Sequence, residues 1–162
     1  MYQKKEFEKA LEAIDLEIEN NPTNIEAWGT KATLLLKLAE GTDGDLEKAQ
    51  YLEDSIKSAT VGLSHNNNEI RLWDLVATCH LNLANLVGDK QGEEAHLHKA
   101  LYAIEQALTI HDKAAGFWYV KGLVYDRLEQ KDEARLAFDK ATLQDIRFID
   151  ELPEEYRAEY GK

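Results

Sequence analysis

Three tryptophans, Trp28, Trp73 and Trp118, are spaced 45 residues apart both times. Around the first two the match widens, with Ala32-Thr33, Leu36 and Leu38-Ala39 recurring as Ala77-Thr78, Leu81 and Leu83-Ala84. A second register runs beside the first: Phe7, Leu52 and Leu97 are equivalent, then Leu11, Ile56 and Leu101. Similarity at a fixed period restricts a chain to a stacked array, because each unit buries its apolar face only against the next.

The third unit shows what one repeat contains. In WYVKGLVYDRLEQKDEARLAFDKA, residues 118–141, Trp118, Gly122 and Tyr125 share one helix face, and Ala134, Phe138 and Ala141 share another. A short polar joint between two apolar stripes predicts an antiparallel helix pair. Gly122, Ala134 and Ala141 let the backbones approach, while Trp118, Tyr125 and Phe138 fill the space beside them. The stretch resembles the tetratricopeptide repeat, whose pattern is Trp, two residues, Leu-Gly, two residues, Tyr, then a later Ala, three residues, Phe. Trp118, Gly122, Tyr125, Ala134, Phe138 and Ala141 match it; Lys121 stands where Leu is usual and Ile146 where the closing Pro would be.

In chain order, residues 3–20 predict one amphipathic helix with Phe7, Ala10, Leu11, Ile14 and Ile18 on its apolar stripe, stopped by Asn20, Asn21 and Pro22. Ala10, Ile14 and Pro22 match the second helix of a repeat, so residues 2–22 read as a half repeat, natural or left by a trimmed start. Two full repeats follow at 24–67 and 69–112, then a regular one at 114–149 and a capping helix at 152–162, all within one domain, 1–162. The first two carry 11 residues more than the usual 34, in GTDGDLEKAQY and GDKQGEEAHLH. Their Glu, Lys and Ala content favours longer helices over a loose loop, extending each hairpin by roughly 8 Å. HNNN, 65–68, is expected to supply a left-handed residue and an asparagine cap for the next helix. The last long helix is expected to end near Phe148 or Ile149, with Leu152, Tyr156 and Tyr160 over the open end of the stack.

The fold class is therefore all-α, a right-handed α-solenoid of about three and a half helix pairs in the manner of the tetratricopeptide repeats. Two prolines in 162 residues agree with helix nearly throughout. A single cysteine, Cys79, excludes an internal disulfide and suggests a reducing compartment. No apolar run approaches the roughly 20 residues that span a bilayer, and MYQKKEFEKA lacks the apolar core of a secretion signal. A cytoplasmic protein is expected. With 31 acidic against 19 basic residues, the net charge of −12 repels phosphate backbones and anionic lipid, so neither nucleic acid nor membrane is expected as partner.

Chemistry is hard to find in the sequence. His96 and His98 are two apart, which points them in different directions on a helix, and His80 falls where Leu35 and Tyr125 fall, as a packed aromatic substitute. The carboxylates form solvated outer faces, such as Glu6, Glu8, Glu12, Glu17 and Glu19. There is no phosphate loop, nucleophile elbow or Cys/His pair of useful spacing. No enzyme activity, no cofactor and no metal are expected.

The resemblance implies a surface instead. In tetratricopeptide proteins the first helices of successive repeats line a concave groove that holds a peptide or partner helix. The matching positions here are Glu26, Thr33 and Lys37; Arg71, Asp74, Thr78 and Asn82; Tyr119, Leu123 and Arg127. Gly29, Leu36, Leu81, Gly116 and Asp126 match as well, and Tyr119 and Arg127 are the best anchors by residue type. The Lys, Asn and Arg clamp with which some family members hold the acidic tail of heat-shock chaperones is missing, since Glu26, Gly29, Thr33, Asp74 and Leu75 occupy its places. The expected function is a non-catalytic protein-interaction module or scaffold. The alternative is a homo-oligomer assembled through the N-terminal helix by Phe7 and Leu11.

Overall fold

The computed structural model describes residues 2–158 and 160. Every regular element among them is helical: α1 Tyr2–Asn20, α2 Ile25–Glu40, α3 Asp45–His65, α4 Ile70–Leu86, α5 Lys90–Ile110, α6 Ala115–Arg127, α7 Lys131–Gln144, α8 Phe148–Glu151 and α9 Glu154–Arg157. The chain forms two compact units, Met1–Ala103 and Ile104–Lys162, and the division falls inside α5.

In the first unit α1 packs on α2, α2 on α3 and α3 on α4. The first helices of successive repeats, α2 and α4, also touch directly. Each helix turns a stripe inward, and in α2 this is Ala27, Ala32, Leu35, Leu36, Leu38 and Ala39. Leu36, Ala39, Leu52, Cys79 and Leu83 form one cluster. Ser55 lies fully buried beside it and donates to the Ala32 carbonyl at 2.7 Å, so its hydroxyl is not left unpaired.

The 11 additional residues of the first two repeats are taken up as helix. α3 and α5 have 21 residues each against 14 in α7. The joints stay short because local groups close them. Thr42 donates to the Leu38 carbonyl at 2.8 Å behind α2, and Asp89 accepts from the Gly92 amide at 2.8 Å at the start of α5.

The tryptophans do more than fill space. Trp28 Nε1 donates to the Pro22 carbonyl, Trp73 Nε1 to Asn67 and Trp118 Nε1 to Asp112, at 2.8, 2.8 and 2.6 Å. In each case the acceptor lies six residues upstream, in the turn that enters the helix. A bulky indole thus packs between helices and ties down the turn with its one donor.

In the second unit α6 packs on α7, and Ala134, Phe138, Leu152 and Tyr156 form its core. Three expectations are corrected here and in the first unit. The second helix of the last repeat stops at Gln144, not at 148 or 149. Asp145 is extended, with φ −148°, and its carboxylate accepts from the Arg147 amide and Nε at 3.1 and 3.0 Å. That local turn competes with further helical hydrogen bonding. HNNN supplies no left-handed residue: Asn66 is extended, and among the described non-glycine residues only Glu129 has positive φ. Nor does an asparagine cap α4, whose N-cap residue is Glu69, without a side-chain bond. The end of the expected cap, residues 159, 161 and 162, lies outside the described residues.

Candidate functional site: a groove on the first helices

α2 and α4 run side by side in the first unit and leave a groove of about 500 Å³ along their shared face. Four of the sequence-derived positions line it: Glu26, Thr33, Arg71 and Asp74. Its apolar lining comes from Ile25, Leu34, Leu72 and Leu75, of which sequence reasoning had placed only Leu75 there. Gly29 also lines it, four residues from Thr33 on the same helix face. Thr33 satisfies its own helix by donating to the Gly29 carbonyl at 2.9 Å, which leaves its hydroxyl oxygen free to accept.

The remaining first-unit positions lie elsewhere. Lys37 is exposed and pairs with Glu40 at 2.7 Å. Asn82 lines a second recess of about 350 Å³ with Glu40, Lys48 and Asn85. Thr78 lines neither, and Leu36, part of the buried cluster, lines the floor of this second recess.

Charge in the groove is unbalanced. Arg71 approaches Glu26 at 3.8 Å with both side chains well exposed, a contact worth little in water. Glu69 accepts from Asn66 Nδ2 at 2.9 Å. Asp74 is exposed, no described group hydrogen-bonds or ion-pairs with it, and partial burial pushes its carboxyl above the usual range.

In the second unit the equivalent face of α6 is covered by the chain itself. The Tyr119 ring stacks on Phe148 with centroids 5.0 Å apart, and its hydroxyl donates to the Glu151 carbonyl at 2.8 Å. Leu123 packs against the Phe138–Tyr156 core. Asp126 accepts from Tyr156 at 2.5 Å and from Lys131 at 2.6 Å, and Lys131 reaches on to Glu155 at 2.9 Å. Arg127 is exposed.

One polar contact in the first unit escaped the sequence reading. His80 and His96, on α4 and α5, bring their Nδ1 atoms to 3.2 Å. Among the described residues no three His, Cys, Asp or Glu side chains converge as metal ligands. Cys79 is buried, donates to Ser55 Oγ at 3.3 Å and has its thiol pushed up to about 11 by burial, which disfavours the reactive thiolate. No helix among the described residues is long and apolar enough to cross a membrane.

No protein-family model and no curated protein matches the sequence. Solved structures do match it. The chain aligns with TTC0263, a thermophilic TPR protein in Thermus thermophilus, over 99% of its own length and 77% of that chain, at 18% identity and a TM-score of 0.68. A crystal structure of MamA aligns over 91% of this chain and 73% of its own, at 20% identity and a TM-score of 0.65. The structure of MamA MSR-1 C2 covers 88% and 69%, at 13% identity and 0.66. The shared architecture is the helix-pair solenoid of tetratricopeptide repeats.

Proposed function

We propose that this chain, built on the tetratricopeptide-repeat fold, is a non-catalytic protein-interaction module that holds a peptide or partner helix in the α2–α4 groove. The observation that carries the reading is the groove itself, where residues that the family resemblance marks as groove-lining (Glu26, Thr33, Arg71 and Asp74) line one recess beside Leu34, Leu72 and Leu75. Apolar floor with polar rim is the anatomy of a surface that binds protein. The second-unit positions Tyr119 and Leu123 contribute less to this reading, because the chain's own C-terminal segment already contacts them.

A displayed random-peptide library selected on the full chain tests it. Thr30 and Thr33 are exposed on α2, so a Thr30→Tyr, Thr33→Tyr variant fills the groove without touching the core. Peptides enriched on the wild type should lose binding to the variant, whose fold circular dichroism verifies. Peptides retained equally by both would move the site elsewhere, and no enrichment at all would overturn the interaction reading.

The second reading, assembly of copies through α1, draws on the partial exposure of Phe7 and Leu11, which α2 does not bury completely. Sedimentation of the wild type against Leu11→Glu decides it: a concentration-dependent mass lost in the variant supports assembly, and a constant monomer mass rejects it.

A further inference from the structure

The groove's chemistry narrows its occupant, on the premise that the α2–α4 groove is the binding face. Three carboxylates line it, Glu26, Glu69 and Asp74, against one cation, Arg71. The other cations of α2 are engaged away from it. Lys31 binds Asp15 at 2.6 Å, and Lys37 binds Glu40. Arg71 is drawn toward Glu26 at the exposed rim. The negative charge that remains is therefore that of Asp74 and Glu69, beside Leu72 and Leu75.

Asp74 gives the sharper indication. Its carboxylate is exposed in the groove beside Leu72 and Leu75, no described donor hydrogen-bonds it, and partial desolvation raises its carboxyl above the usual range, so it stays open to an incoming cation. An incoming ammonium or guanidinium would supply both the missing donor and the missing charge. The aliphatic stem of Lys or Arg would at the same time lie along Leu72 and Leu75. An acidic partner would instead meet three like charges and gain only Arg71.

We propose that the groove receives a basic segment of a partner protein, with a Lys or Arg side chain against Asp74 and Glu69 and a neighbouring aliphatic side chain on Leu34, Leu72 and Leu75. The net charge of −12 assists from a distance by accelerating encounter with such a segment. Local contacts, not net charge, select the site.

Three fluorescein-labelled pools of short peptides test this by anisotropy on the full chain. They share Leu and Ile positions and differ in carrying Lys/Arg, Asp/Glu or Ser/Gln between them. The basic pool should bind best, and Asp74→Asn should weaken it about fivefold, with Asp74→Lys abolishing it. Glu12→Gln, Glu19→Gln removes two negative charges from the exposed face of α1, against one in Asp74→Asn, and should still leave binding unchanged. Equal weakening by the α1 and Asp74 variants would mean unspecific attraction and overturn the proposal. Binding of the neutral or acidic pool that Thr30→Tyr, Thr33→Tyr removes would also overturn it, while leaving the interaction-module reading intact. Failure of all three pools to bind would reject both.

Discussion

His80 on α4 and His96 on α5 share a single hydrogen bond between their Nδ1 atoms, 3.2 Å apart, with His80 only 9% exposed. One imidazole donates and the other accepts, so the pair exists only while at least one ring is neutral. Burial, then His96 and Lys99, pushes His80 down to about 4. Burial and Lys99 lower His96 too, against an opposing pull from Glu53 on α3.

Stability should therefore fall on the acid side. A histidine whose folded pKa lies below its unfolded 6.5 binds its proton more readily in the unfolded chain. The loss begins as pH drops through 6.5, grows toward 4, and is absent above neutrality. At about 1.4 kcal/mol per pH unit it amounts to about 3 kcal/mol by pH 4. Thermal melts from pH 7.5 to 4 should show it, and His80→Leu, which copies Leu35 of the preceding repeat, should flatten the slope. An unchanged slope in that variant would assign the acid sensitivity elsewhere.

Small residues at two helix crossings set a second expectation. A Cβ on Gly62 would lie 2.7 Å from Leu72 Cδ1 and 3.4 Å from Trp28 Cβ. A Cβ on Gly122 would clash with the Phe138 ring edge, 2.9 Å from Cζ and nearer still to Cδ1 and Cε1. Alanine has the better helix propensity by about 1 kcal/mol, but overpacking costs about 1–3 kcal/mol and should win at both sites. Gly116 meets nothing within 4 Å, so Gly116→Ala should gain up to about 1 kcal/mol. Urea titrations of the three single variants give the comparison; a stabilised Gly122→Ala would contradict the crossing geometry.

The C-terminal segment should be held by the Tyr156 phenol as well as by packing and the Tyr119 bond. Tyr156, buried against Phe138, donates to Asp126 at 2.5 Å. Tyr156→Phe keeps the ring and loses the bond, which should cost about 1–2 kcal/mol. Burial first, and then the bond to Asp126, pushes the phenol from its ordinary 10 up to about 12. That contribution is complete below pH 10 and lost as pH rises toward 12. Alkaline melts should lose more stability in this window for the wild type than for Tyr156→Phe, in which Tyr119, also raised by burial, still contributes.

The repeat register made most of the fold legible, since helices, joints and stacked first helices all follow from stripes spaced by three, four and 45 residues. What it left out depends on contacts that no period carries. His80 and His96 meet across two helices, whereas spacing arguments compare residues within one helix. Their positions align with Leu35 and Tyr51 one repeat earlier, and only that alignment hinted that the ring of His80 faces inward. The early stop of α7 is a side-chain event at Asp145 and Arg147. Tyr119 looked like an open anchor because the path of residues 148–156 has no periodicity to read. Glu69 was overlooked because it sits in the joint before α4 rather than on the helix face.

The α6–α7 joint offers a prediction with the opposite sign. After α6 ends at Arg127, the Glu129 amide bonds the Asp126 carbonyl at 3.0 Å and the Gln130 amide bonds the Tyr125 carbonyl at 2.9 Å. These are the two bonds of a Schellman stop, and they put Glu129 in the left-handed region with φ 61°. A residue with a Cβ is strained there by roughly 1–2 kcal/mol, and glycine is not. Glycine's greater freedom in the unfolded chain offsets part of that relief. Glu129→Gly should therefore raise stability by about 0.5–1 kcal/mol, and Glu129→Val, with its branched Cβ, should lower it. Melting temperatures of the two variants must move in opposite directions; a shared direction would mean that contacts of the Glu129 side chain, not its backbone conformation, decide the stability of this joint.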